Sequence, residues 1–335
     1  MKLNLRVQAS RRPVQMLLTS LAVLVGISAC SNSGDRSSDT PPSGSAGGAF
    51  PVTIVHAEGR TVIPQGPQRI VALSFEEDAL SAVGLKTVGH MDNSYDPGKP
   101  YPWQEGKVDF IGSEVVVGAD GQLQFEKIAA LEPDLILSTT RWDTADNYAK
   151  LSKIAPTVGT IEGSWEDGAT AVGQAVGRAL EMTEAIAQVN QAITDLGDEL
   201  PGLKGKTAVG IYNFEPGGYL VNTDLKSPAN LLNAALGFVP DQELFAVAEN
   251  LPNASISSER LDLFDADMLV ISFGSDEAKK ATYADPRYAN LPVVKDDRVY
   301  ETDNFGAAAS QNPTILNVPW QLEQNHDVLV KVANN

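Results

Sequence analysis

Aromatic and polar side chains follow the predicted buried strands of this chain, and together they could bind a ligand. Ligands of open α/β sheets bind beyond the carboxyl ends of the strands. One obvious cation, Arg141, occupies such a position. Aromatic faces would pack against apolar parts of a ligand, and a guanidinium would pair with its oxygen atoms. The candidate wall residues are Phe75, Trp103, Trp142, Trp165, Tyr212, Phe214, Tyr219 and Phe305.

Patterns for catalysis or metal capture are weak by comparison. Gly205-Lys206-Thr207 matches the end of a phosphate loop, but the first glycine of that motif is missing and a strand follows. No Gly-x-Ser-x-Gly elbow occurs. His56, His90 and His326 fall in separate elements, whereas a zinc or manganese carrier needs clustered imidazoles and carboxylates. We therefore predict a binding protein, not an enzyme, with no cofactor and no metal site of its own.

The single cysteine, Cys30, indicates an export signal and a lipid anchor. Basic residues precede an apolar run from Val14 to Ile27, which is shorter than the roughly 20 residues that cross a bilayer. Ile27-Ser28-Ala29-Cys30 resembles a bacterial lipobox, which implies cleavage before Cys30 and lipid attachment to its sulfur. A Ser-, Gly- and Pro-rich tether follows. We expect a protein held by its lipid on the outer face of the cytoplasmic membrane, in the periplasm or cell envelope.

Composition excludes one class of partner and suggests two lobes. The leader contains four basic residues and no acidic residue, so its removal changes the net charge from −18 to −22. Such a surface repels nucleic acid. The remaining length is typical of two domains or lobes. Because no cysteine follows Cys30, disulfides and thiolate metal sites are excluded.

Helices and strands alternate in two series, which predicts parallel sheets covered by helices. A β-hairpin is predicted over residues 52–63, and the first series follows it. About thirty residues without proline, 169–200, predict one long helix or two in line between the series. The predicted domains are a signal peptide (1–29), a tether (30–50), an N-terminal lobe (51–168), an interlobe helix (169–200) and a C-terminal lobe (201–335).

The two series share a local pattern. Phe125-Glu126-Lys127-Ile128 precedes Asp134 and an apolar strand, and Ser258-Glu259-Arg260-Leu261 precedes Asp267 and another. We expect both segments to be helices. Two similar α/β lobes, Rossmann-like and bridged by a long rigid helix with the ligand cleft between them, are the simplest architecture.

Six segments in this order resemble the solute-binding lipoproteins of ABC importers for iron(III)-siderophores, haem and cobalamin. They include residues 63–73, 83–89, 125–137, 151–158 and 256–267, and Tyr101-Pro102-Trp103-Gln104 resembles the siderophore branch. The resemblance implies a monomer that captures a ferric siderophore and delivers it to an ABC permease. Haem or cobalamin binding is the alternative within the family, and a surface enzyme is the alternative outside it.

The resemblance also assigns roles to two glutamates and to the cleft. Glu126 and Glu259 match the family's docking residues, one per lobe, that pair with arginines of the permease. The alternative is a solvated helix residue paired locally with Lys127 or Arg260. Few basic residues stand near the predicted strand ends, which favours a hydroxamate or mixed-ligand siderophore over an anionic tricatecholate.

Overall fold

The computed structural model describes residues 50–248 and 254–335. Cys30, the predicted signal peptide and most of the predicted tether lie outside the described residues. Among the residues described, no helix is both long and apolar enough to cross a membrane.

The predicted hairpin is confirmed. Strands β1 (Val52–His56) and β2 (Gly59–Ile63) pair in antiparallel register, with Val52 opposite Ile63. Glu58 at the turn accepts hydrogen bonds from the backbone N–H of Thr160 (2.8 Å) and from its hydroxyl (3.0 Å). The hairpin is thereby fixed to the first sheet.

The first sheet is entirely parallel, as predicted. Its strand order is β5-β4-β3-β6-β7. The strands are β3 (Ile70–Ala72), β4 (Gly89–Met91), β5 (Glu114–Val117), β6 (Leu135–Leu137) and β7 (Thr157–Val158). The associated helices are α1 (Glu76–Ala82), α2 (Phe125–Ala130), α3 (Thr144–Leu151) and α4 (Trp165–Ala175). The central strands β3 and β6 are buried along their whole length because helices cover both faces of the sheet.

The segment predicted as one helix, or two in line, is broken and turned back. Helix α4 ends at Ala175, and α5 (Ala179–Glu199) begins after a turn in which Gly177 has φ of 69°. The two helices pack against each other, and a Cβ on Gly173 would lie 2.5 Å from Cβ of Met182. The prediction is therefore corrected: α5 alone, 21 residues long, leads from the first lobe to the second.

The second sheet is mixed, with strand order β10-β9-β8-β11-β12. Strands β8, β11 and β12 are parallel, whereas β9 runs antiparallel to both of its neighbours, β8 and β10. The strands are β8 (Ala208–Glu215), β9 (Gly218–Val221), β10 (Ser255–Ser257), β11 (Met268–Phe273) and β12 (Val299–Glu301). Gly217, with φ of 79°, permits the tight β8–β9 turn, which the sequence pattern did not predict.

Seven α-helices are described around the second sheet. They are α6 (Pro228–Ala235), α7 (Gln242–Ala248), α8 (Asp276–Ala284), α9 (Pro286–Ala289), α10 (Pro292–Lys295), α11 (Asn304–Gln311) and α12 (Asn317–Ala333). Residues 201–203 and 258–264 form 3₁₀-helices. The predicted helix at Glu259 is thus a 3₁₀-helix, since its backbone is kinked at Arg260.

The repeated aspartate before the strand has the same role in both lobes. Asp134 accepts hydrogen bonds from the backbone N–H groups of Gln68 (2.7 Å) and Arg69 (2.8 Å), just before β3. Asp267 accepts one from the backbone N–H of Thr207 (2.8 Å), just before β8. Each aspartate therefore joins the starts of two neighbouring parallel strands.

Candidate functional site

A cavity of about 240 Å³ lies between the two lobes. Its first-lobe wall follows the carboxyl ends of β3, β6 and β7, where ligands of parallel sheets bind. That wall consists of Phe75, Glu76, Ala79, Thr139, Thr140, Thr160, Ile161, Gly163, Ser164, Trp165, Gly168, Ala169 and Val172. The second lobe contributes Pro228, Gln311, Asn312, Pro313, Thr314 and Ile315.

Trp165 is the largest ring on the cavity wall, and the start of α4 positions it. Ser164 precedes it as N-cap, and the Ser164 hydroxyl and the Asp167 carboxylate form a reciprocal capping box. The backbone N–H of Ser164 donates to Asp167 at 2.8 Å. Trp165 is half-buried. Of the predicted wall residues, Phe75 and Trp165 line this cavity.

Apart from Pro228 at the start of α6, the second-lobe wall is formed by the end of α11 and the loop before α12, which were not among the predicted site residues. Its shape is set by Thr314, whose backbone N–H donates to Oδ1 of Asn317 (2.8 Å), while the Asn317 N–H donates to the Thr314 hydroxyl (3.1 Å). The segment Gln311-Asn312-Pro313 interrupts an otherwise helical pattern. This break in the helical pattern was the signal in the sequence that could have indicated the loop.

A buried carboxylate, Asp78, links the two lobes beneath the cavity. It accepts hydrogen bonds from the side-chain amide of Gln104 in its own lobe (2.8 Å) and from the hydroxyl of Thr314 in the other. Burial raises the pKa of Asp78 to about 6, against a lowering influence of these donors. Asp78 therefore stays protonated up to a higher pH than an exposed aspartate does and is mostly ionised at neutral pH.

Its neighbours Glu76 and Glu77 are buried as well. Glu76 accepts three hydrogen bonds, from the backbone N–H and hydroxyl of Thr139 and from the N–H of Ser74. Burial, and then the charges of Glu76 and Asp78, raise the pKa of Glu77 well above its usual range. Its Oε2 has no hydrogen-bond partner among the described residues. These acids are structural neighbours of the cavity, and only Glu76 lies on its wall.

Three predicted wall residues form an interlobe aromatic cluster. Trp103 is 1% exposed and stacks on Tyr101 with ring centroids 4.8 Å apart. Phe75 packs edge-on against Tyr101 at 5.1 Å, and Phe305 from the second lobe approaches it at 6.2 Å. Trp320 of α12 contacts Trp103 at 5.4 Å. The predicted wall role of Trp103 is corrected, because its ring is buried between the lobes, whereas Phe305 is half-buried and lies outside the wall of this cavity.

Arg141 does not line the cavity, and its positive charge is paired within its own lobe. Its side chain is 4% exposed and forms an ion pair with Asp143 through both Nε and Nη2. Nη2 also donates to the carbonyl of Gly121 at 2.6 Å. The predicted role as polar anchor is corrected, since its pairing with Asp143 was not foreseen from the sequence. Trp142 is 86% exposed and does not line the cavity.

The remaining predicted wall residues lie on β8 and β9. Tyr219 is 2% exposed, packs edge-on against Phe264 and hydrogen-bonds with Thr282, so its predicted wall role is corrected to a core role. Tyr212 and Phe214 are partly exposed and lie outside the cavity wall.

The two predicted docking glutamates are exposed at equivalent positions. Glu126 lies in the first turn of α2, before β6, and Glu259 lies in the 3₁₀-helix before β11. Arg260 is bound to Asp262 at 3.0 Å, and not to Glu259. Across the described residues, neither carboxylate accepts a hydrogen bond or forms an ion pair. The local-pairing alternative therefore finds no support at either position.

No cluster of three or more His, Cys, Asp or Glu residues that could hold a metal ion occurs within residues 50–248 and 254–335. His56 is buried and hydrogen-bonds with Thr61 (3.0 Å), and His90 hydrogen-bonds with Ser113 (2.8 Å). Both imidazoles thus have structural partners.

Comparison with known proteins places this fold among transport proteins. Residues 70–305 match the family described as periplasmic binding protein. The probable siderophore-binding lipoprotein YfiY of Bacillus subtilis (strain 168) is 31% identical over 88% of this chain and 91% of its own. A periplasmic solute binding protein of known structure from Mycobacterium smegmatis is 33% identical, with a TM-score of 0.70 over 84% of this chain and 98% of its own. PiaA of Streptococcus pneumoniae, solved with ferrichrome, shares the fold at 24% identity, with a TM-score of 0.69 over 84% of this chain and 98% of its own.

Proposed function

Because the chain belongs to the periplasmic binding protein family, we propose that it captures an iron(III)-siderophore and delivers it to an ABC permease. The ferric complex is the cargo, and the protein contributes shape and hydrogen bonds without a resident cofactor. We further propose that it acts as a monomer, without catalysis, outside the cytoplasmic membrane. YfiY, named as a probable siderophore-binding lipoprotein and 31% identical, supports the ligand class.

The observation that carries this proposal is the composition of the interlobe cavity. Both lobes contribute to it, and its wall alternates apolar surface from Phe75 and Trp165 with the hydroxyl groups of Thr139, Thr160 and Thr314. A ferric siderophore has the same mixed character, with oxygen atoms around the iron and apolar linkers between them. A volume of about 240 Å³ is below the roughly 300 to 1,000 Å³ of small-molecule sites, so the complex would extend from its mouth.

Haem is the less favoured ligand. Haem iron needs an axial His, Tyr, Met or Cys. No such residue stands among those lining the cavity in the described part of the chain. No feature of the cavity wall, as far as the structure describes it, specifically favours cobalamin.

Docking to the permease is proposed to use Glu126 and Glu259. Both are exposed, each lies at the start of a helix in a different lobe, and both are free of partners among the described residues. Charged pairs at two separate points would fix the orientation of the receptor. Cys30, outside the described residues, is proposed to carry the lipid that keeps the receptor near the permease, which raises its effective concentration there.

Ligand capture is tested by titrating the full-length protein with ferric siderophores. Tryptophan fluorescence reports binding because Trp165 lies on the cavity wall. We expect saturable quenching with a stoichiometry of one ferric complex per chain. Calorimetry that detects no binding of any ferric siderophore would contradict the proposal.

Docking is tested by reversing both charges, with Glu126→Lys and Glu259→Lys combined. We expect iron uptake by cells to be lost while the affinity for the ferric complex is unchanged. Glu184→Lys with Glu323→Lys is the matched control, since both glutamates are exposed on helices α5 and α12. Loss of ligand affinity in the docking variant, or equal loss of uptake in the control, would contradict the assignment.

A further inference from the structure

The cavity between the lobes has almost no charge on its wall. Glu76 is the single ionisable side chain among the described residues that line it, and three hydrogen bonds hold that carboxyl group in place. Asp78 lies directly behind the wall and contacts the lining residue Thr314. The fixed charge nearest to a bound ligand is therefore negative.

Arg141 is the cation that could balance this negative charge, but its guanidinium is already paired with Asp143. Arg141 follows the lining residues Thr139 and Thr140 in the chain, but Asp143 pairs with its guanidinium and the Gly121 carbonyl takes a further N–H. An ion pair has no net charge to offer an anion. On the second lobe, Lys226 is exposed two residues before the lining residue Pro228.

We propose that the cavity selects ferric complexes by charge, accepting those of zero net charge and rejecting strongly anionic ones. This inference rests on the proposed function. Three hydroxamates carry one negative charge each and neutralise Fe³⁺, whereas three catecholates carry two each and leave a net charge of −3. The side-chain amide of Asn312 on the wall can donate to a carbonyl oxygen of a neutral trihydroxamate, whereas the hydroxyl protons of Thr139 and Thr160 are already donated to Glu76 and Glu58.

The ion pair of Arg141 and Asp143 sets this preference. A trianion entering the cavity meets Glu76 without an opposing cation, and like-charge contacts disfavour such binding strongly. That penalty corresponds to an affinity at least about 100-fold weaker than for a neutral complex of similar size. Removal of the Asp143 charge would leave an unpaired positive charge on Arg141, the residue that follows the lining residue Thr140 in the chain.

The first test compares ferrichrome, a neutral trihydroxamate complex, with ferric enterobactin, a tricatecholate trianion. The full-length protein is titrated with each by calorimetry at neutral pH and at two salt concentrations. We expect ferrichrome to bind at least about 100-fold more tightly, and the enterobactin complex to bind better at high salt because repulsion is screened. Equal or tighter binding of the trianion overturns charge selection and leaves siderophore capture standing. If neither complex nor any other ferric siderophore binds, the proposed function itself fails, and charge selection with it.

The second test assigns the preference to the ion pair. Asp143→Asn should strengthen binding of ferric enterobactin by about tenfold or more, because the unpaired Arg141 would attract the trianion. Binding of the neutral ferrichrome should stay nearly unchanged. Asp198→Asn is the matched control, because it removes the same charge from an exposed position on α5, and it should alter neither affinity. Circular dichroism confirms that both variants are folded. An unchanged affinity ratio in Asp143→Asn overturns the role of the ion pair.

Discussion

Replacing Asp78 by asparagine should stabilise this protein at neutral pH, although Asp78 accepts hydrogen bonds from both lobes. Burial raises its pKa from an ordinary 3.8 to about 6. Each pKa unit corresponds to about 1.4 kcal/mol, so ionised Asp78 costs the folded state about 3 kcal/mol above pH 6. The Asp78→Asn side chain would keep the bond from Gln104 and weaken the one with Thr314, at a cost of about 1 kcal/mol. The expected net gain is about 2 kcal/mol.

The pH dependence has a definite sign. Because the folded state holds the Asp78 proton more tightly than the unfolded chain, this residue's contribution falls as pH rises from about 4 through 6. Between about pH 5 and pH 7.5 the wild type should lose about 1 to 2 kcal/mol relative to Asp78→Asn, by the same linkage relation. Above that range the difference should be constant.

Urea unfolding followed by circular dichroism at several pH values measures this difference. Asp198→Asn is the control, because Asp198 is exposed on α5 and should show no pH-dependent difference from wild type. Comparing each variant with wild type at the same pH cancels the contribution of the raised pKa of Glu77, except for the part of that rise which the Asp78 charge causes. A wild type that gains stability over Asp78→Asn as pH rises through this range would refute the reasoning, as would a constant difference.

Three further predictions concern packing and the cavity. Gly173→Ala should lower the free energy of urea unfolding by about 1 to 3 kcal/mol because its Cβ would meet Met182, whereas Gly197→Ala in open space on α5 should raise it by up to about 1 kcal/mol. Trp165→Phe should weaken binding of the ferric complex by about fivefold to tenfold in a calorimetric titration, because the ligand loses part of one aromatic contact. Trp142→Phe is the control and should change the affinity little, since Trp142 does not line the cavity. A larger effect of Trp142→Phe than of Trp165→Phe would place the ligand outside the cavity. Asp134→Ala should cost about 1 to 3 kcal/mol of thermal stability, since two backbone N–H groups before β3 lose their acceptor.

Much of the fold could be predicted because local pattern and burial agree in the first lobe. Its short apolar strands are separated by helices that end just before Gly84 or before Pro133, and the sheet is parallel as expected. The second lobe departs from this pattern at β9 and β10. Hairpin pairing there depends on the turn at Gly217 and on packing of Tyr219 against Phe264 across a long sequence separation. Neither contact leaves a local periodic signal.

The candidate site was predicted less well than the fold, and for a related reason. Strand ends indicated Phe75 and Trp165, which line the cavity, but the same rule also selected Tyr219, which is core, and Arg141, whose charge is paired. Whether an aromatic ring faces a cleft or a core depends on the direction of its side chain and on its partners. Residue type and spacing do not specify either.

The sequence by itself determined the α/β class, the repeated Glu and Asp pattern in two lobes and the membership of a family of binding proteins. These follow from hydrophobic periodicity and short local motifs, which act over a few residues. Tertiary structure decided that Asp143 neutralises Arg141, that Trp103 joins the lobes and that Thr314 closes the cavity over Asp78. Thr314 and Asp78 lie 236 positions apart, so only folding brings them together and buries Asp78, and it is this burial that raises the pKa of Asp78.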